Sequence, residues 1–189
     1  TTQEDCLMCQ DPLFTDRGFN QFQKIADLDV STAILNRDWQ FYKGSTLLVF
    51  QSHVTELHHL TPNLQHRFMA DACRMAEALV KTFQPLKINH ALLGNAVPHL
   101  HWHLIPRYQS DPFPTYAIWE HEFPKLPPSD QEFMEIAEQI RVIFRRLSWP
   151  EVHVETLCLT PLGYPRDRSG PIDRIPSTGV SSYSRFEGK

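Results

Sequence analysis

The stretch Val97-Pro-His-Leu-His-Trp-His-Leu-Ile-Pro-Arg107 alternates histidine with large apolar residues. Successive side chains of a β-strand point to opposite faces, so His99, His101 and His103 share one face and the residues between them point into a core. A rise of about 3.3 Å per residue places the outer two Cα atoms about 13 Å apart. One small reacting atom cannot easily touch all three rings, so the spacing predicts a central reactive histidine and two flanking histidines with separate tasks.

The central imidazole, that of His101, is suited to covalent chemistry at phosphorus. Neutral imidazole is nucleophilic near pH 7 and can form a phosphoramidate, which splits one difficult displacement into two easier ones. Neighbouring donors can hold the phosphoryl oxygens, where charge develops in the transition state. Alternating histidines on a strand also suit zinc ligation, so a metal-dependent hydrolase with His99, His101 and His103 as ligands is an alternative. Against it, the first acidic residue downstream is Asp111.

Length and composition exclude several classes of protein. The chain has 189 residues, of which 41% are hydrophobic and 21% charged, as expected for one globular domain with extensions. Lys and Arg number 18 against 22 for Asp and Glu, a net charge of −4 that disfavours a nucleic-acid partner. No apolar run is long enough to cross a bilayer, and the N-terminus lacks a signal-peptide pattern. We therefore expect a cytoplasmic protein without membrane association.

Hydrophobic periodicity predicts a mixture of helices and strands. Thr61 and Pro62 are typical of the start of a helix, and Ser129 with Glu132 forms a capping-box pattern before a second one. The other predicted elements are a short helix through Phe19, Phe22, Ile25 and Ala26, strands at 31–35, 45–50, 87–93 and 100–105, and an edge strand at 151–159. We expect one domain over residues 1–150 and a C-terminal extension over 151–189 that continues from the edge strand as a tail.

The four cysteines are too few for a disulfide framework in a chain of this length. Cys6 and Cys9 have the spacing of a metal knuckle, but a CxxC pair supplies only half of a tetrahedral site. Two reduced thiols in the N-terminal segment are the simplest alternative. A redox pair is less favoured because no strand precedes the motif.

Residues 99–105 resemble the signature of the histidine triad (HIT) superfamily of nucleotidyl hydrolases and transferases, His-apolar-His-apolar-His-apolar-apolar, at every position. The resemblance covers roughly residues 4–120. Its other anchors are Cys6-x-x-Cys9, the Gly44 strand that leads to His53, the helix after Thr61-Pro62, and Asn89 followed by Gly94-Asn95. The resemblance implies a HIT-like α+β fold, with an antiparallel sheet of about five strands, one long helix packed on it and a second helix after the triad strand. It also implies a homodimer.

The resemblance further implies cleavage at the α-phosphate of nucleoside polyphosphates or nucleoside 5′-phosphate conjugates, for example dinucleoside polyphosphates, without a catalytic metal. His101 would be the nucleophile, and His103 would hydrogen-bond a phosphate oxygen or the bridging oxygen of the leaving group. The remaining residues that the resemblance places near substrate are Asn95 at the phosphates, Asn89 at the ribose or phosphates, Asn36 or Arg37 at the ribose, and Trp119 near the nucleotide or at an interface.

A structural zinc site is a further implication of the resemblance. Some bacterial HIT proteins combine the CxxC pair with the histidine after the second strand and the first histidine of the triad, which here are His53 and His99. Four protein ligands, Cys6, Cys9, His53 and His99, would close the site and leave no open position for metal catalysis.

The sequence departs from the family pattern at Ser45. Members usually carry Gly-His at the start of the second strand, and this chain has Gly44-Ser45. A hydroxyl can donate or accept a hydrogen bond but cannot become cationic. A nucleotide-binding or scaffolding protein with weakened catalysis is therefore an alternative.

Overall fold

The computed structural model describes residues 2–10, 21–120 and 122–149. The elements in chain order are α1 (Leu7–Gln10), β1 (Phe22–Asp27), β2 (Ser31–Asn36), β3 (Thr46–Phe50), α2 (Pro62–Phe83), β4 (Lys87–Leu92), β5 (His101–Arg107) and α3 (Asp130–Arg146). The five strands form one antiparallel sheet in the order β1-β2-β3-β5-β4. The expected α+β class, five-stranded antiparallel sheet, long helix and second helix are confirmed.

Both long helices begin at the predicted residues. The Thr61 hydroxyl accepts a hydrogen bond from the backbone N–H of Leu64, and Pro62 occupies the first turn of α2. Ser129 and Glu132 form the reciprocal capping box of α3. No helix among the described residues is both long and apolar enough to cross a membrane.

The predicted helix around Phe22 is wrong, because residues 22–27 form strand β1. The pairing of β1 with β2 shifts between Lys24 and Ala26, which leaves Ile25 as the extra residue of a β-bulge. Ile25 is buried in the main core and Ala26 packs against it. The bulge thus places two successive apolar residues on one face, and the resulting spacing imitates that of a helix. Phe19 and the predicted edge strand at 151–159 lie outside the described residues.

The main core lies between the sheet and the two long helices. It contains fully buried side chains from each layer, among them Leu48, Phe68, Leu104 and Phe133. Gly44 has a φ of +88°, and a Cβ there would lie 2.6 Å from Cε2 of Phe83 at the end of α2. Only glycine fits both the left-handed backbone and this close contact.

The opposite face of the sheet carries a second, smaller apolar cluster. Ile34, Leu47 and Val49 are buried there, with Met8 of α1 and Phe22 packed against them. The N-terminal turn therefore packs on the same face as the triad histidines, because His101 pairs with Val49 across β3 and β5. This packing brings the CxxC motif next to the start of β5.

Candidate active site and metal cluster

Strand β5 places two of the three histidines together. His101 is paired with Val49 and His103 with Leu47, so both side chains share the face of those two residues. Nε2 of His101 lies 3.2 Å from Nε2 of His103. His99 precedes the strand and makes its contacts elsewhere, which agrees with the divided tasks that the spacing predicts.

The backbone determines the tautomer of His101. Its Nδ1 lies 2.6 Å from the carbonyl oxygen of His99, and only a protonated Nδ1 can donate to that acceptor. Nε2 therefore carries the lone pair and accepts a hydrogen bond from Nε2–H of His103. Burial lowers the pKa of His101, opposed by the bond to the His99 carbonyl. Burial and the neighbouring His101 lower the pKa of His103 to about 4. Near neutral pH both rings are uncharged.

Aromatic side chains surround His103 on the side away from His101. The centroids of Trp39 and Trp119 each lie 5.5 Å from that of the His103 ring, and the two indoles lie 5.2 Å from each other. Phe123 lies 5.2 Å from Trp39. The predicted residue Trp119 is therefore next to the triad. A place for Trp39 and Phe123 beside the triad was not predicted, because neither residue lies in a motif or in a predicted helix or strand.

A cluster of four potential metal ligands lies at the other end of the triad. Sγ of Cys9 lies 3.3 Å from Nδ1 of both His53 and His99, and Sγ of Cys6 lies 3.5 Å from Nδ1 of His99. All four ligand atoms lie within 4.8 Å of one another. Nε2 of His99 is 2.7 Å from the carbonyl oxygen of Phe50, so it carries the proton and Nδ1 faces the cysteines as an acceptor.

Three of the other predicted site residues, Asn36, Arg37 and Ser45, have polar partners within the fold. The Asn36 side chain accepts hydrogen bonds from the backbone N–H of Asp38 and from the Gln21 side chain. The bond from Asp38 caps the short 3-10 turn that follows Asn36. Ser45 is buried, and its hydroxyl donates to the carbonyl oxygen of Tyr42. Asn95 is exposed in the loop before the triad. Arg37, the alternative to Asn36, pairs with Asp130 at the start of α3.

Asn89 is connected to a buried arginine for which the sequence predicted no role. Arg107 donates to the side chain of Asn89 and pairs with Asp111 at 2.7 Å. Its guanidinium also donates to the carbonyl oxygens of Phe113 and Tyr116. Arg107 thereby ties the loop after β5, which leads to Trp119, to the sheet.

One cavity borders His101, and a second lies beside the two indoles that contact His103. The first, of about 360 Å³, has His99, His101 and Gly94 in its wall, close to the predicted phosphate-binding Asn95. The other, of about 540 Å³, is lined by Trp39, Ile118, Trp119, Glu122, Phe123 and Lys125. Both volumes are within the range of small-molecule sites.

Fold and site together define an α+β protein that presents a neutral imidazole pair beside ligand-sized cavities. The family model described as HIT domain matches residues 18–110. A histidine triad protein from Marinobacter aquaeolei VT8 superposes with a TM-score of 0.60 at 26% identity, over 68% of this chain and 92% of that one. The chain belongs to the histidine triad superfamily, as its sequence predicted.

Two curated relatives extend the comparison. Protein hit of Bacillus subtilis is 26% identical over 136 residues, which cover 67% of this chain and 87% of that protein. Adenylylsulfatase HINT3 of Arabidopsis thaliana is 26% identical over 127 residues, which cover 65% of this chain. The aligned region spans only 59% of the length of the plant protein. These similarities support the general class of HIT nucleotide hydrolases and transferases.

Proposed function

We propose that this protein is an enzyme that attacks the α-phosphate of nucleoside polyphosphates or nucleoside 5′-phosphate conjugates, such as dinucleoside polyphosphates, through a nucleotide bound covalently to His101. The observation that carries the proposal is the 2.6 Å contact between Nδ1 of His101 and the carbonyl oxygen of His99. This contact keeps the proton on Nδ1 and leaves the lone pair on Nε2, which faces His103 rather than the backbone and can attack a phosphorus atom.

In the first step, Nε2 of His101 forms a bond to the α-phosphorus while the bond from phosphorus to the bridging oxygen breaks. The leaving polyphosphate departs as an oxyanion and needs no proton. Nε2–H of His103, which donates to His101 in the free protein, can donate instead to a phosphoryl or bridging oxygen. The imidazolium formed on His101 is stabilised by its Nδ1–H bond to the His99 carbonyl.

In the second step, water or another acceptor attacks the same phosphorus atom and the phosphorus–nitrogen bond breaks. With water, the products are a nucleoside monophosphate, a released proton and neutral His101. In the part of the chain that the structure describes, the ring nitrogens of the three histidines do not converge on one metal position, because Nδ1 of His99 faces the cysteines. This geometry disfavours the alternative in which the triad ligates a catalytic zinc.

We propose in addition that Cys6, Cys9, His53 and His99 hold a structural zinc ion. Zn–S bonds of about 2.3 Å and Zn–N bonds of about 2.0–2.1 Å at tetrahedral angles place sulfur and nitrogen ligands about 3.5 Å apart. Three sulfur–nitrogen separations in the cluster, at 3.3–3.5 Å, fit that value, and all four ligand atoms lie within 4.8 Å of one another. Bound zinc would link the N-terminal turn to the start of β5, and its four protein ligands leave no position for substrate.

The covalent intermediate can be tested directly. The protein is mixed with a dinucleoside polyphosphate, quenched without acid and digested, and mass spectrometry is used to find a nucleotidyl group on His101. We expect the group in the wild type and its loss, with at least a thousandfold loss of turnover, in His101→Asn. His90→Asn is the matched control, because His90 lies on the neighbouring strand β4, paired with Leu104 on the opposite face.

Three results separate covalent catalysis by His101 from the two alternatives, a binding or scaffolding protein and a zinc-dependent hydrolase. Normal turnover by His101→Asn contradicts covalent catalysis by that residue. Tight nucleotide binding without turnover by the wild type favours a binding or scaffolding protein. Turnover that survives a chelator, while thermal stability falls, supports a structural rather than catalytic zinc.

The assembly and location of the protein stay predictions. We propose a homodimer. Light scattering coupled to gel filtration should then give a molar mass of twice the 22.0 kDa of one chain. We also propose a cytoplasmic location, with a nucleotide as the small-molecule partner.

A further inference from the structure

An aromatic pocket lies on the far side of His103 from the nucleophile. We define it as the cavity of about 540 Å³ lined by Trp39, Ile118, Trp119, Glu122, Phe123 and Lys125. Its indoles contact the His103 ring, whose other neighbour is His101 at a centroid distance of 4.9 Å. The order along this face is therefore nucleophile, His103, aromatic pocket.

The pocket is more open than a core cluster. Tyr42, Ile105 and Ile118 form the buried base of this cluster, with Trp39 and Phe123 half-buried above them. Trp119 is 46% exposed although it is the largest type of side chain. A side chain that served only packing would turn this ring inward, because burying apolar area is favourable. The exposed indole instead forms a flat apolar wall beside His103.

The charges on the wall favour an uncharged planar ligand. Glu122 and Lys125 contribute one charge of each sign, so they give no net attraction for a phosphate chain. The tryptophan and phenylalanine rings provide faces on which a ring can stack. Stacking on aromatic side chains is the usual way in which proteins bind bases without regard to sequence.

We propose that the aromatic pocket binds the nucleobase of the leaving group, so that dinucleoside polyphosphates are preferred over nucleotides with a bare phosphate chain. The proposal rests on the proposed function and takes the bridging oxygen as the acceptor for Nε2–H of His103. A group bound beyond His103 is then attached through that oxygen and leaves with it. The base of the transferred nucleotide is instead expected on the His101 side. Trp119 is the principal determinant of this specificity.

The test compares diadenosine tetraphosphate with adenosine 5′-tetraphosphate. Both transfer the same adenylyl group, and they differ only in the second adenosine of the leaving group. We expect Trp119→Ala to lower kcat/KM for the dinucleotide about tenfold, the order expected for loss of one stacked base. Its kcat/KM for adenosine tetraphosphate should stay within about twofold of the wild type. Trp119→Phe should restore most of the loss.

A matched control comes from the same loop. Tyr116 is 53% exposed, its ring contacts that of Phe113, and it is not among the residues that line the pocket, so Tyr116→Ala should affect both substrates equally. An equal loss on both substrates with Trp119→Ala would overturn the proposal and assign the pocket to the transferred nucleotide. No loss on either substrate would also overturn it.

Failure of the proposed function can be recognised separately. If the wild type hydrolyses neither compound, the affinities of both for wild type and Trp119→Ala are measured by calorimetry. A selective loss of dinucleotide affinity in the variant supports the pocket even without turnover, and equal affinities contradict it.

Discussion

Nε2 of His99 lies 2.7 Å from the carbonyl oxygen of Phe50, and the carbonyl oxygen of His99 itself lies 2.6 Å from Nδ1 of His101. The first contact leaves Nδ1 of His99 unprotonated and facing the cysteines, and the second fixes the tautomer of His101, the proposed nucleophile. One residue thus connects the metal cluster to the reactive ring. In the proposed mechanism His99 is therefore a positioning residue for both the metal cluster and His101.

Loss of zinc is expected to reduce stability more than chemistry. Cys6→Ser should abolish zinc binding and lower the melting temperature by about 10 °C or more, because a structural metal contributes directly to folding free energy. The turnover of the remaining folded protein should fall by less than about tenfold. Metal analysis and calorimetry measure the first two effects. Cys73→Ser is the matched control, since Cys73 is an exposed cysteine on α2. A Cys6→Ser protein with one zinc per chain would contradict the proposed site.

Replacement of Ser45 addresses the departure from the family pattern. The Ser45 hydroxyl donates to the Tyr42 carbonyl, and the tautomer of His101 depends on the His99 carbonyl instead. Ser45→Ala should therefore lower the free energy of unfolding by about 1 kcal/mol, the typical net value of one hydrogen bond. Its kcat should stay within about threefold of the wild type in a steady-state assay. A hundredfold loss would show that the hydroxyl supports the nucleophile directly.

Much of the fold could be predicted because its strongest patterns are local. The cap at Thr61, the capping box at Ser129 and the alternation around His101 each depend on residues close in sequence. Strand β1 could not be predicted in this way. The bulge at Ile25 interrupts its alternation, and its identity as a strand depends on pairing with β2.

The site shows the same division between local and distant information. The triad pattern predicted a central histidine between two histidines with separate tasks. In the structure the rings of His101 and His103 lie together, and that of His99 faces the cysteines. Trp39 and Phe123 are 84 positions apart, and only the folded chain brings them against one another. The buried role of Arg107 also depends on a loop conformation that residue types alone do not determine.

The buried ion pair of Arg107 and Asp111 should contribute far more to stability than a surface pair. Both side chains are 4% exposed, and the guanidinium has three further partners. Arg107→Gln leaves a buried carboxylate without its cation and should lower the free energy of unfolding by about 3–5 kcal/mol. Arg67→Gln is the control, since the Arg67–Asp29 pair is half exposed and should contribute about 1 kcal/mol or less. Urea denaturation measures both, and equal losses would contradict the buried role.

Protonation of His103 should make stability depend on pH in a defined direction. Its pKa is about 4 in the folded protein, lowered by burial and by His101, and about 6.5 in an unfolded chain. Between these values the unfolded state binds more protons, so the free energy of unfolding decreases as pH falls from about 6.5 to 4. The contribution over that interval is about 2–3 kcal/mol.

His103→Gln isolates this contribution from the other acid-sensitive groups. Proton uptake at the metal cluster affects both proteins and cancels when their free energies of unfolding are subtracted at each pH. The variant loses the contacts of the imidazole with Trp39 and Trp119 at every pH, which adds only a constant difference. Urea unfolding at pH 7.5, 6.0 and 4.5 should therefore show wild type losing more stability than the variant as pH falls. Parallel pH dependences would mean that the half-buried ring of His103 titrates normally and that the neutral histidine pair is wrong.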